Sequence, residues 1–301
     1  ETDGNKVTGR LVVEKDIDDD TMLYGSFTRG YKPGGSNLTY GREDVVAQIV
    51  VLPTFQEEIV DAFEVGLKTD LADGRVRLNT AAFLYNYEGL QYQATDPEVF
   101  EGGVGNIPDS EIYGAELELS AFLSDSVILD LRMSWLDTEI TANHLALDNV
   151  ESEAATNALL AQGIGLFSSD VQVARAGRIQ NVKGNELAKT PSFTGNVALN
   201  WTNDHNWGEL KGTLQYTYRG GFKHRIFNNS QTDLVPNYDV LDIMLGFYPA
   251  SAENQHFEII GKNLFDQDGI NARFTDVFGV GATGDELIAP RQIMLRFVTQ
   301  F

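Results

Sequence analysis

Residues 127–135 read VILDLRMSW, and apolar side chains alternate with polar ones along this stretch. Apolar residues hold every odd position from Val127 to Trp135, whereas Asp130, Arg132 and Ser134 hold even positions. Successive side chains of a β-strand point to opposite faces of the sheet. The stretch therefore predicts a strand with one apolar face and one polar face.

The same period of two residues recurs along the whole chain in windows of about ten residues. It is clear, for example, in 63–68, 116–121, 193–202 and 210–219. These windows predict an all-β fold. Its eleven predicted strands cover 8–15, 20–30, 57–70, 75–92, 110–123, 127–138, 192–202, 209–220, 238–248, 256–263 and 291–301.

The connections between the predicted strands alternate in length. The short ones cover 16–19, 72–74, 124–126, 203–207 and 249–255. The long ones cover 31–56, 93–109, 139–191, 221–237 and 264–290. Long structureless loops are uncommon in compact soluble domains, whereas outer-membrane barrels alternate short periplasmic turns with long extracellular loops. The pattern therefore predicts an antiparallel transmembrane β-barrel with extracellular long loops and a periplasmic C-terminus.

A soluble β-sandwich or propeller is the main alternative fold, because its strands alternate as well. Strands in such folds are shorter, about five or six residues. Burial of both faces would also leave fewer charged residues on the second face. The sequence contains no run of about 18 apolar residues, so it predicts no transmembrane helix.

Composition excludes several classes of function. The formal net charge of −22 argues against a nucleic-acid partner, which would need a basic face. The absence of cysteine excludes a disulfide framework and a thiolate metal site. The histidines, at 144, 205, 224 and 256, lack metal-ligand spacing, and hydrolase motifs are absent. We therefore expect no enzyme, no catalytic residue, no metal and no cofactor.

Six segments, in order along the chain, resemble the C-terminal half of TonB-dependent receptors. They are LYGSFTRGYKPGG at 23–35, FEVGLK at 63–68 after EE at 57–58, YGAELEL at 113–119, GNEL at 184–187, KNLFD at 262–266 and the terminal stretch 290–301. In the second segment, Gln56 stands where the family usually has Pro, and Phe63 stands where it has Tyr. The resemblance covers nearly the whole chain.

The resemblance implies an incomplete barrel. Receptors of this class have about 22 strands and a plugged lumen, and single-chain bacterial barrels have even strand counts. Eleven strands are about half of that number, and lipid cannot satisfy an open sheet edge. We expect residues 1–301 to form the C-terminal part of the barrel. The plug domain and the N-terminal strands would then lie upstream or in a second chain.

The resemblance also implies a function, namely high-affinity binding and active import of a scarce nutrient. The nutrient is most often a ferric siderophore or a similar iron complex. Implied partners are the lipid bilayer with its lipopolysaccharide, the inner-membrane TonB complex and the plug. The resemblance further implies that Phe301 belongs to the signal read by the barrel-assembly machinery.

Loops on a rigid scaffold carry recognition, so the ligand-binding residues are expected in the long loops. Cations beside aromatic rings suit an anionic or catecholate-like iron chelate. The candidates with this character are Tyr31, Lys32, Tyr40, Arg42, His224, Arg225, Phe227, Arg273 and Phe274. In the longest loop, the alanine-rich stretch 151–162 predicts a short helix.

Three other functions remain open from the sequence. A passive porin-type channel would have an open lumen and no plug. A structural or adhesive surface barrel would bind a stable partner through its external loops. An outer-membrane enzyme would need a Ser/His pair that the sequence cannot place.

Overall fold

A computed structural model of the chain describes residues 6–37, 54–96, 101–252, 254–275 and 283–299. The described strands are β1 (Gly9–Asp16), β2 (Thr21–Lys32), β3 (Gly35–Ser36), β4 (Thr54–Phe55), β5 (Glu58–Leu71), β6 (Val76–Asp96), β7 (Glu101–Ser124), β8 (Val127–Ile140), β9 (Leu145–Leu147), β10 (Ile179–Asn181), β11 (Phe193–His205), β12 (Gly208–Arg219), β13 (Phe222–Lys223), β14 (Leu234–Val235), β15 (Tyr238–Pro249), β16 (Gln255–Lys262), β17 (Ile270–Thr275), β18 (Thr283–Leu287) and β19 (Gln292–Thr299). The helices are α1 (Asn149–Leu160) and α2 (Ser169–Ala176).

One antiparallel sheet of eleven strands dominates the fold, in the order β1-β2-β5-β6-β7-β8-β11-β12-β15-β16-β19. Each strand pairs with its neighbour along the chain, so the sheet is a meander. Its members match the eleven predicted strands, which confirms the predicted all-β antiparallel architecture. Short pairs of strands, such as β9 with β10 and β13 with β14, lie within the long connections.

The sequence prediction differs most from the structure at one connection. Residues 93–109 were expected to form a loop, but β6 continues to Asp96 and β7 already begins at Glu101. The two strands stay paired from Leu90 opposite Ile107 to Asp96 opposite Glu101. The β7 part of this extension is rich in glycine, and Leu90, Tyr92 and Ile107 pack into a cluster with residues of the connections 139–191 and 221–237.

The strand register separates the side chains into two faces. Leu129, Leu199, Leu214 and Ile243 lie opposite one another on four successive strands and form an apolar row. The neighbouring positions form a polar row on the other face. There the Asn200 side chain donates to Asp130 (2.9 Å), and the Thr213 hydroxyl donates to Asn200 (2.9 Å).

The apolar face has no second layer of described structure packed against it. Large apolar side chains remain exposed along it, from Val65 (58%) to Leu295 (81%). Aromatic pairs lie on this face near both ends of the strands. Tyr113 and Trp135 pack 5.9 Å apart towards the long loops, and Phe257 and Phe297 pack 4.9 Å apart towards the short turns. An exposed apolar band between aromatic girdles is typical of a transmembrane barrel.

Neither described helix is long and apolar enough to cross a membrane. Helix α1 confirms the helix predicted at 151–162, shifted by two residues, and the sequence did not predict α2. Asp148 caps α1, because its carboxylate accepts the backbone N–H groups of Val150 and Glu151. Both helices lie in the connection between β8 and β11.

Candidate functional site

The long connections at one end of the sheet pack into a single unit, which we call the loop body. It comprises 139–191, 221–237, the described parts of 264–290, and the ends of β6 and β7 beyond Gly89. Its core is made of buried apolar side chains, namely Ile107, Ile140, Ala146, Val182, Leu187 and Ile226. Leu90, Tyr92, Ile112, Ala188 and Phe227 pack around them. The connections therefore form a packed core of their own.

Arg225 links two of these connections through buried charges. Its guanidinium lies 2.7 Å from Asp148 and 2.6 Å from Asp233. Both carboxylates are fully buried, and the Arg225 side chain is only 11% exposed. Burial strengthens these ion pairs electrostatically, but it also makes an unpaired carboxylate costly. Arg225 thus fixes the start of α1 against 221–237.

Asp233 has further partners within its own loop. Its carboxylate accepts the backbone N–H of Asn229 (3.0 Å) and the hydroxyl of Thr232 (3.1 Å). Its backbone carbonyl accepts the N–H of His224 at 2.9 Å. The buried negative charge is therefore hydrogen-bonded on several sides, as a stable buried charge requires.

His224 links the same loop to the connection that contains β17 and β18. Its Nδ1 lies 3.2 Å from the carbonyl oxygen of Asp233, and its Nε2 lies 2.8 Å from the Thr275 hydroxyl. A carbonyl can only accept, so Nδ1 carries the proton in the neutral ring, and Nε2 accepts from Thr275. Burial lowers the pKa of His224, an effect that Asp233 partly offsets.

Arg273 forms the second contact between these two connections. Its Nε and Nη2 donate to the two carboxylate oxygens of Asp285, at 2.6 and 2.8 Å. Its Nη1 donates to the carbonyl of Leu234 at 2.8 Å. The hydrogen bond with Asp285 raises the pKa of Arg273 and lowers the pKa of Asp285. The adjacent Phe274 is 70% exposed.

The structure brings four of the sequence-predicted residues close together. His224, Arg225 and Arg273 surround Asp233, and the Arg225 guanidinium stands 5.2 Å from the centre of the Phe227 ring. The side chains of His224 and Arg225 are occupied by protein partners. Phe274, next to Arg273 in the chain, is more open to an external ligand than these four residues.

Tyr31 and Lys32 differ from the prediction, because they lie at the end of β2 and not in the loop that follows it. They pair with Ile59 and Glu58 of β5. The segment that follows them contacts the β6–β7 extension, because the Asn37 side chain donates to the Val104 carbonyl (3.0 Å). Tyr40, Arg42 and Phe301 lie outside the described residues.

Sequence reasoning missed the acidic partners of this network, namely Asp148, Asp233 and Asp285. One signal was available, because an aspartate immediately before a predicted helix is a typical N-cap. The pairing of Arg225 with two separate aspartates had no sequence signal, since these residues lie 8 and 77 positions away. No group of three or more His, Asp or Glu side chains able to hold a metal occurs among the described residues.

The polar face of the sheet is the second surface of functional interest. A depression of about 410 Å³ lies between β7, β8, β11 and β12. It is lined by Glu118, Arg132, Asn196, Thr217 and Arg219, among others. Nearer the start of the sheet, Glu64 accepts the Tyr24 hydroxyl at 2.7 Å. The described structure shows no cation paired with Glu64 or with Glu116.

Residues 1–264 match the sequence model of a family described as "TonB dependent receptor-like, beta-barrel". The chain belongs to this family. The eleven-stranded meander and its exposed apolar face are the wall of a TonB-dependent receptor barrel, a family of outer-membrane β-barrel receptors.

The chain is similar in sequence or in structure to parts of known TonB-dependent receptors. A probable TonB-dependent siderophore receptor, PiuA of Acinetobacter baumannii, is 27% identical over 123 residues, which are 40% of this chain and 16% of that protein. The ferric yersiniabactin uptake receptor FyuA of Yersinia pestis superposes with a TM-score of 0.69 at 19% identity, over 98% of this chain and 37% of FyuA.

The ferric-catecholate import receptor Fiu of E. coli superposes with a TM-score of 0.64 at 16% identity, over 99% of this chain and 35% of Fiu. At such low identity the superpositions show the fold alone. The sequence match covers 16% of the length of PiuA, and the chain spans about a third of the two solved receptors.

Proposed function

We propose that the chain is part of an outer-membrane active-transport receptor for a scarce nutrient, most simply a ferric siderophore or a similar iron complex. The observation that carries this proposal is the family match over residues 1–264. The names of PiuA, FyuA and Fiu, which refer to siderophores or ferric complexes, support the choice of ligand. We assign no catalytic role to the chain.

In this proposal the loop body is extracellular, and the short turns and the C-terminus are periplasmic. The apolar face contacts lipid, and the polar face lines the lumen. The remaining strands of a barrel of about 22 close against the two outer strands of the sheet, because hydrocarbon cannot satisfy their open backbone groups. A plug domain sits in the lumen, where Glu64 and Glu116 would meet cationic side chains.

The proposed ligand contacts combine exposed aromatic and cationic groups of the loops. Phe274 and Lys32 are exposed and would contact the iron complex directly. Arg273 holds Phe274 in place through Asp285, and the His224–Arg225–Phe227 segment supports the same surface. The proposed site also includes Tyr31, Tyr40 and Arg42, which are predicted from the sequence. The TonB complex of the inner membrane would supply the energy for release into the cell.

The proposal is tested by iron uptake in cells that lack the complete receptor gene. We expect loss of labelled iron uptake from at least one ferric siderophore, and restoration by the intact gene only when the TonB complex is active. Uptake that continues without the TonB complex would indicate a passive porin-type channel. Unchanged uptake of every complex tried would favour a structural or adhesive barrel.

The ligand contacts are tested on the purified full-length receptor, titrated with the ferric complex that supports uptake. Phe274→Ala should weaken binding by roughly tenfold, about 1.4 kcal/mol. Arg273→Ala and Arg225→Ala should weaken binding as well, because they displace the loop surface that carries Phe274. Lys211→Ala, close to the short turns, serves as the control. Unchanged affinity in all three loop variants would remove this part of the loop body from the site.

A further inference from the structure

Two of the four histidines lie in the loop body, and both stand where separate connections meet. His224 joins 221–237 to the connection of β17 and β18. His144 joins 139–191 to the extension of β6. The other two, His205 and His256, lie at the ends of strands near the short turns.

His224 is buried among charged groups from each element packed against it. Thr275 of β17 contacts its Nε2 at 2.8 Å, and Asp233 faces its Nδ1. Arg225 from its own loop and Arg273 from β17 contribute positive charge, and Asp285 from β18 contributes negative charge. The neutral ring fits this arrangement, whereas a third cation beside Arg225 and Arg273 would be unfavourable.

His144 occupies a similar position on the other side of the core. Its Nε2 lies 2.9 Å from the Tyr92 hydroxyl, and the two rings meet edge to face with centroids 5.4 Å apart. Burial raises the pKa of Tyr92 to about 12, so the phenol keeps its proton, and it donates a hydrogen bond to Nε2 when His144 carries its own proton on Nδ1. Tyr92 is the titratable group that faces His144. Asn181 accepts the backbone N–H of His144 at 3.2 Å.

From this geometry we infer that the loop body is an acid-sensitive clasp, in which protonation of His144 and His224 loosens the contacts between the connections. At neutral pH each uncharged imidazole bridges two connections, His224 by accepting the hydroxyl of Thr275 and His144 through its hydrogen bond with Tyr92. An imidazolium cannot accept, and it must be buried as a cation. The inference concerns the packing of the loop body and does not depend on the identity of the ligand.

The direction of the effect follows from the two pKa values. Burial lowers the pKa of His144 and of His224 below the ordinary value of 6.5. The stabilising contribution is therefore complete above about pH 6.5 and is lost as the pH falls through the lowered values. For each histidine, opening should increase by up to about tenfold per unit of pH in that range.

Hydrogen exchange of the full-length receptor in lipid nanodiscs tests the inference. Peptides from 141–148, 179–187 and 222–235 should lose protection between about pH 7.5 and about pH 5, after correction for the intrinsic exchange rate. Peptides from the centre of β11 and β12 should not change, and they provide the internal reference. Equal protection of the loop peptides at both pH values would overturn the inference.

The variants His224→Gln and His144→Gln keep an acceptor near the position of Nε2 but cannot be protonated. Each should remove part of the pH response, and the double variant should remove all of it. His205→Gln, close to a short turn, should respond like the unmodified receptor. If His224→Gln disrupts packing at neutral pH, His144→Gln alone remains diagnostic. An unchanged pH response in that variant would refute the role of His144 in the clasp.

Discussion

The wall of the barrel and the loop body use the same amino-acid types in opposite ways. On the wall, Leu295 is 81% exposed, whereas Ile107 in the loop body has no exposed surface. The wall places charged and amide side chains on one face, where they join in chains such as Asp130–Asn200–Thr213. The loop body buries the charged side chains of Asp148 and Asp233 completely.

This difference shows which solvent each region is built for. Lipid takes the place of a protein core for the wall, so the apolar residues need no second layer. The loop body stands in water and must bury its own apolar surface, as a small soluble domain does. The stability of the wall therefore depends on which face a residue occupies, and that of the loop body depends on packing and on paired buried charges.

The largest effect is expected from Arg225→Met, which would test the buried charges. The change leaves Asp148 and Asp233 buried without their cation, and loss of one partner of a buried ion pair costs about 3–5 kcal/mol. We expect 139–191 and 221–237 to lose protection from hydrogen exchange, with little change in the central strands.

The matched control is Arg75→Met. Arg75 pairs with Asp125 at 3.4 Å near a short turn, and the Asp125 side chain is 98% exposed. Removal of such an exposed pair should cost less than about 1 kcal/mol. Equal losses of stability in the two variants would contradict the structural role assigned to Arg225.

The next effect is expected on the wall, where Leu214→Arg places a charge on the apolar face. An arginine at the lipid face of a barrel costs about 2–4 kcal/mol near the centre of the membrane. Gln215→Arg, one residue further, places the same charge on the polar face beside Asp242 and should be tolerated. Urea unfolding of the receptor in lipid vesicles measures both, and similar costs would overturn the assignment of the two faces.

A smaller effect is expected from the removal of one methyl group in the loop core. Ile107→Val should destabilise the loop body by about 0.5–1.5 kcal/mol, because the surrounding side chains fill the resulting cavity only in part. Ile259→Val on the apolar face should cost less, since lipid chains can fill the space. The exchange rates of loop and wall peptides give the comparison, and a larger loss for Ile259→Val would contradict it.

The smallest effect on stability is expected from Phe274→Ser. The ring is 70% exposed, and surface substitutions usually change stability by less than about 0.5 kcal/mol. The thermal midpoint should therefore stay unchanged while the affinity for the ferric complex falls. A lower midpoint would show that Phe274 supports the loop body and would weaken its assignment to the ligand.

Much of the fold could be predicted because each wall strand carries its own signal. The alternation from Val127 to Trp135 follows from the lipid on one side and polar groups on the other, so it is written in consecutive residues. The short turns and the helix at 149–160 were also local features. The continuation of β6 and β7 was not predicted, because the glycines at 102, 103 and 105 interrupt the alternation on β7.

The sequence by itself determined the strands, their two faces and their order, since these depend on neighbours along the chain. Only the tertiary structure decided which partners the side chains of the loop residues contact. The sequence predicts His224, Arg225 and Arg273 as ligand contacts, and the structure adds that their side chains meet Thr275, Asp148, Asp233 and Asp285. These partners come from up to 77 positions away. Contacts between distant loops leave no periodic pattern in the sequence. The sequence therefore could not show that Arg225 is buried between two connections of the loop body.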